Sequence, residues 1–156
     1  MATKPEHVGL VPDPDFCIVL FDHGFPQKTK FYWTTNGLIT AKQEEMWVLL
    51  TAEELEANGL APGDKKVFAA PICEEFMRLT PMQYFVGWAR FGFIFIDVSK
   101  TTFEHNPAEG NKPASVAIAY NRIKEADAMS APNCWAKGFC FLLLKGWMKF
   151  NAPKKD

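Results

Sequence analysis

The stretch LTPMQYFVGWARFGFIFIDV, Leu79 to Val98, most constrains how this chain can fold. It holds Tyr84, Phe85, Trp88, Phe91, Phe93 and Phe95 within 20 residues, with Arg90 its sole cation and Asp97 its sole acid. Rings at this density have to be buried or matched to a partner, because aromatic side chains dominate the energetics of cores and interfaces alike. Thr80 followed by Pro81 reads as a helix start, and Phe85, Trp88 and Phe91 then share one helical face. From Phe93 to Val98 the β-branched and aromatic run suits a strand buried on both faces. One long helix is the alternative, since periodicity alone does not separate a buried strand from a buried helix.

A membrane span needs about 20 apolar residues in succession. Arg90 and Asp97 interrupt this run, and Lys137 and Lys145 interrupt the second one, Cys134 to Phe150. No transmembrane helix is expected, although Trp135 and Trp147 leave a peripheral membrane contact open.

With 156 residues the chain suits one domain. We place it at residues 16–150, between an extended or flexible arm at 1–15, with Pro5, Pro12 and Pro14, and a frayed tail at 151–156. A formal net charge of −1 excludes a globally basic nucleic-acid footprint. Cys17, Cys73, Cys134 and Cys140 form neither a CxxC pair nor a zinc spacing with histidine, so no metal is expected. The N-terminus lacks an apolar signal core. These features suggest reduced, buried cysteines in an intracellular, reducing compartment.

In chain order, Asp15 to Asp22 (DFCIVLFD) reads as a strand and pairs in a hairpin with a strand in KTKFYWTT, which Asn36-Gly37 closes. From Thr40 the pattern is helical, with Met46 to Leu50 as a possible third strand. Thr51 and Glu54 form a capping box, and Asn58-Gly59 ends the helix they open. A short strand follows at Lys66 to Ala70, then a short helix from Pro71 to Leu79. Beyond the aromatic stretch, Ser99 to Pro113 reads as a long polar loop, and Pro113 to Ala128 as a helix with Val116, Tyr120 and Ile123 on successive turns. Ala131-Pro132-Asn133 breaks that helix, and Cys134 to Phe150 forms the last one. The expected class is α+β, a small antiparallel sheet with an N-terminal hairpin, helices on one face and a helical C-terminal half.

Candidate chemistry is sparse. His23, beside Asp22 after the first expected strand, suits acid–base work because histidine titrates near neutral pH, and a turn histidine exposed to water is the plainer account. His105 lies in the polar loop, and only a fold-over would bring it to His23. Asp97 needs a partner if buried, and Arg90 is the obvious one. Glu44-Glu45 and Glu74-Glu75 point about 100° apart on helices and cannot act as dyads. No nucleophile elbow or phosphate loop is present, and no cofactor is expected.

The sequence therefore favours a non-catalytic interaction or assembly protein, a subunit of a homo- or hetero-oligomeric complex. Trp33, Trp88, Phe91, Trp135, Phe139 and Trp147 are its candidate interface or pocket residues. The competing expectation is a small α+β enzyme or small-molecule-binding domain, with an aromatic-lined pocket and a histidine near its mouth.

Overall fold

A computed structural model describes residues 5–35 and 46–150. It is α+β, with two antiparallel three-stranded sheets. The first sheet has the order β2-β1-β3, from β1 (Phe31–Thr34), β2 (Val48–Thr51) and β3 (Val67–Ala70). The second has the order β4-β5-β6, from β4 (Tyr84–Ala89), β5 (Gly92–Asn106) and β6 (Ser115–Arg122). The helices are α1 (Pro5–Val8), α2 (Pro14–Asp22), α3 (Ala52–Ala57), α4 (Cys73–Leu79) and α5 (Ala131–Leu144), with one 3₁₀ turn at Lys124–Ala126.

Several expected elements are present. Thr51 Oγ1 accepts from Glu54 N at 3.1 Å and Glu54 Oε1 accepts from Thr51 N at 3.1 Å, the reciprocal pair that opens α3. Gly59, at φ 72°, takes the left-handed turn after it. β2 occupies the place of the possible third strand, and β3 and α4 lie where short elements were expected. The Asn36-Gly37 turn, the helix from Thr40 and Glu44-Glu45 lie outside the described residues.

Other expectations are corrected. Asp15 to Asp22 is helix α2, not a hairpin strand, and β1 pairs instead with β2 and β3. Asp13 stands at the N-cap position and Pro14 enters the first turn, which suits helix rather than strand. The run is apolar throughout because α2 lies between two cores: Cys17 packs with Trp33 and Leu49, and Leu20 with Phe25, Phe76 and Phe139.

Thr80-Pro81 ends α4 rather than opening a helix. A residue before proline disfavours helical ψ, and Thr80 takes ψ 130° while its hydroxyl donates to Phe76 O at 2.6 Å. Tyr84 to Ala89 then pairs with β5 through the two-residue turn Arg90-Phe91. Pro113 to Ala128 is also not a helix. Val116, Ile118 and Tyr120 alternate with Ala117 and Ala119 as strand β6, and the supposed loop from Ser99 supplies the second half of β5. The expected helical C-terminal half thus shrinks to α5. Ala131-Pro132-Asn133 opens that helix, with Ser130 Oγ accepting from Asn133 N at 3.3 Å.

The largest core lies between α5 and the second sheet and gathers Leu20, Phe76, Tyr84, Phe95, Trp135 and Phe139. The first sheet is buried on both faces, Phe31 and Trp33 to one side and Tyr32 to the other, as a period-2 alternation dictates. Residues 5–13, read from the sequence as part of an extended arm, carry α1 and pack on this body. Val11 is buried, the Trp33 indole N–H donates to Pro12 O at 2.8 Å, and Asp13 N donates to Asn133 Oδ1 at 2.8 Å.

Candidate interaction surface: the β5–β6 arm

β5 has two halves. From Gly92 to Asp97 it pairs with β4 and lies against α5, with Phe95 fully buried. From Thr102 to Asn106 it pairs, among the described residues, with β6 alone, in the register Thr102↔Ala119, Phe103↔Ile118, Glu104↔Ala117, His105↔Val116 and Asn106↔Ser115. Between the halves, β5 advances from Asp97 to Thr102 while β6 advances only from Asn121 to Ala119, a bulge that separates the arm from the body.

Asp97 anchors that bulge. Its carboxylate is buried, and Oδ1 accepts from Ser99 N at 3.1 Å and Ser99 Oγ at 2.6 Å. Oδ2 lies 3.9 Å from Lys100 Nζ, and Thr101 Oγ1 donates to the Asp97 carbonyl at 3.2 Å. Arg90, the partner expected from the sequence, instead sits in the turn at the other end of the β4–β5 hairpin, its guanidinium 5.5 Å from the Phe91 ring centroid. Asp97 is thus a local backbone clamp.

Beyond the clamp, every residue of β6 is exposed, and so is β5 from Thr102 to Asn106. Directly paired residues share a face, so Phe103, Val116 and Ile118 stand together, with Tyr120 next along the same face of β6. They are 68%, 53%, 45% and 56% exposed respectively. Among the described residues no strand pairs with the outer edge of β6 or with β5 past Asp97 on the β4 side.

The candidate aromatics divide into two groups. Trp33, Trp135 and Phe139 are buried in the cores. Trp88, Phe91 and Trp147 are exposed: Trp88 sits edge-on to Phe93 at 4.7 Å, and Trp147 lies 5.3 Å from Lys100 Nζ. Asp22 is the exposed last residue of α2 and His23 its half-buried C-cap, whereas His105 is exposed on the arm, so the fold places the two histidines on separate elements. Glu74 pairs with Arg78 at 2.6 Å, and Glu75 accepts from Ile72 N at 2.9 Å and Lys30 N at 3.2 Å, so both acids serve the start and face of α4.

An open cleft of about 500 Å³ lies beside the Arg90-Phe91 turn, lined by Phe91, Phe93, Arg122, Asp127 and Met129 among others. Asp127 Oδ2 is 3.8 Å from Arg122 Nη2, while its Oδ1 is buried and receives no hydrogen bond from the described residues. Neither histidine lines this cleft. All four cysteines are free thiols. Burial pushes Cys134 and Cys140 up to about 12 and raises Cys17 further, so these three stay protonated at neutral pH and offer no nucleophile. Among the described residues no three His, Cys, Asp or Glu side chains converge on a metal position, and no helix is long and apolar enough to cross a membrane. The arm has no counterpart in the sequence expectations, although the alternation Val116-Ala117-Ile118-Ala119-Tyr120 was there to read. Compared with protein-family models, curated proteins and solved structures, the chain matches none.

Proposed function

We propose that this chain is an assembly protein, a subunit of a complex built by self-association, and that the β5–β6 arm is its contact. One observation carries the reading: a two-stranded ribbon with Phe103, Val116, Ile118 and Tyr120 exposed on one face and, among the described residues, no strand on its outer edges. An isolated two-stranded hairpin is marginally stable at best in water. Contiguous apolar surface of this kind marks interaction sites. The Asp97 clamp supports the same role, because it fixes the direction in which the arm leaves the body without using the arm's own side chains.

A second reading, a small-molecule cleft at Arg90, Arg122 and Asp127, rests on the unpaired Asp127 Oδ1. It lacks the histidine that would give such a cleft acid–base chemistry.

The test of the assembly reading is the solution mass, by light scattering after gel filtration, of the native chain and of a Phe103→Glu/Tyr120→Glu variant. Both positions are exposed, so the variant should keep the fold, seen as an unchanged near-ultraviolet circular dichroism spectrum. The expected result is a native mass of two or more chains that falls to one chain in the variant. A native monomer, or an oligomer indifferent to the two glutamates, would overturn the reading.

A further inference from the structure

Strand β6 carries a symmetry that names its partner. Around Ile118 its sequence runs Ser115-Val116-Ala117-Ile118-Ala119-Tyr120-Asn121, which reads polar, large, small, large, small, large, polar from either end. We infer that β6 pairs antiparallel with β6 of a second copy of this chain about a two-fold axis at Ile118, joining two three-stranded sheets into one of six. The inference rests on the assembly reading and supplies the occupant of the arm's open edge.

Three observations carry it. First, a two-fold interface is self-complementary, so each residue on the axis meets its own copy. Ile118 would oppose Ile118, Val116 would oppose Tyr120 of the second copy, and Ala117 would oppose its Ala119. Large side chains then share one face and alanines the other, as a pleated sheet requires.

Second, like charges directly opposite each other destabilise a sheet, and no residue from Ser115 to Asn121 is charged. The nearest cation, Arg122, would fall opposite Ala114 of the second copy rather than opposite itself.

Third, natural sheets guard a free edge with lysine, proline, bulges or inward charges. β6 has no lysine, proline or inward charge between Ser115 and Asn121, and the one bulge within that span puts its extra residues on β5, away from the free edge, while Lys112, Pro113 and Arg122 stand just outside it. The pairing would set Phe103 and Ile118 of one chain in a row with Ile118 and Phe103 of the other, joining the two exposed stripes into one continuous apolar face.

The test is disulfide trapping in the full chain. Directly opposed residues of an antiparallel pair have Cα atoms about 4.5–5.5 Å apart, within the roughly 4.4–6.8 Å that a disulfide spans. Phe103 lies one strand further in on each chain, about 14 Å from its copy at a strand spacing of about 4.8 Å. Under mild oxidation Ile118→Cys should form a covalent dimer at least about tenfold faster than Phe103→Cys or the native chain, whose partly exposed Cys73 sets the background. Faster trapping of Phe103→Cys would overturn the strand pairing in favour of arms stacked face to face, and would leave the assembly reading intact. An oligomer dispersed by the two glutamates, yet giving no dimer with Ile118→Cys, would overturn the pairing alone. A monomer that traps at neither position would overturn both.

Discussion

Phe139→Ala is expected to lower the unfolding free energy by about 3–5 kcal/mol, the usual cost of emptying a buried aromatic position. Phe139 is fully buried and has ring neighbours on several sides: Phe76 at 5.0 Å, Phe25 at 6.0 Å, Phe150 at 6.3 Å and Trp135 at 6.4 Å. These rings come from α4, α5 and the segments that follow α2 and α5, so one cavity would loosen several contacts together. For a domain of this size the loss corresponds to a fall in Tm of roughly 6–20 °C. Thermal unfolding measures it directly, and Phe103→Ala, at an exposed arm position, is the contrast and should stay within about 0.5 kcal/mol of the monomer's native stability. Comparable losses at the two positions would contradict the division between core and arm.

Gly138→Val should be nearly as damaging, for the opposite reason. Gly138 lies inside α5, where glycine costs a helix about 1 kcal/mol relative to alanine, so local propensity argues for replacing it. Tertiary packing forbids that. A Cβ at this position would lie 2.4 Å from Phe95 Cδ2 and 2.6 Å from Phe95 Cε2, inside van der Waals contact, because α5 lies flush on β5 here. Overpacking a filled core costs about 1–3 kcal/mol and occasionally more. The valine branch adds atoms beyond the clashing carbon, so a loss near the top of that range is expected in urea unfolding. Combining it with Phe95→Leu should recover part of the loss, because leucine yields the space that the ring edge takes. No recovery in the double variant would show that the two residues do not meet.

The elements legible in the sequence were those set by local chemistry. The Thr51–Glu54 capping box and the Asn58-Gly59 stop need only neighbours in the chain, and both stand as read. The misread elements were those where tertiary packing or pairing decides. Asp15 to Asp22 is apolar throughout because α2 is packed from two sides, a pattern that a buried strand shares. Val116, Tyr120 and Ile123 fit a helical spacing, but Val116, Ile118 and Tyr120 fit a strand equally well, and pairing with β5 decided between them. Pro81 served as a stop for α4 rather than a start, which depends on whether a helix already precedes it. The aromatic surplus was visible as composition only. Which rings would fill cores, as Trp33, Trp135 and Phe139 do, and which would stay outside, as Trp88, Phe91 and Trp147 do, follows from strand register and helix packing.

The candidate surface was legible in a narrower sense. Ser99 to Pro113 looked like a loop because its residues are polar, and polarity in a ribbon exposed on both faces says nothing about backbone pairing. The strand partner carried the signal, in the uncharged alternation of β6. Asp97 was marked as a carboxylate needing a partner if buried, with Arg90 expected; it is buried, and the partner came from two residues along the chain, where a short side chain can clamp its own backbone.

Amide hydrogen exchange across β6, followed as a function of protein concentration, tests the central claim most directly. In a single chain the ribbon has water on both faces and at both edges, so the outward-facing amides of Ser115 to Arg122 exchange quickly, while those of β1 in the double-sided core do not. If the arm is the assembly contact, protection of those β6 amides rises with concentration and disappears on dilution, in step with the solution mass. Fast exchange of the whole arm at every concentration, with the core still protected, would contradict the account.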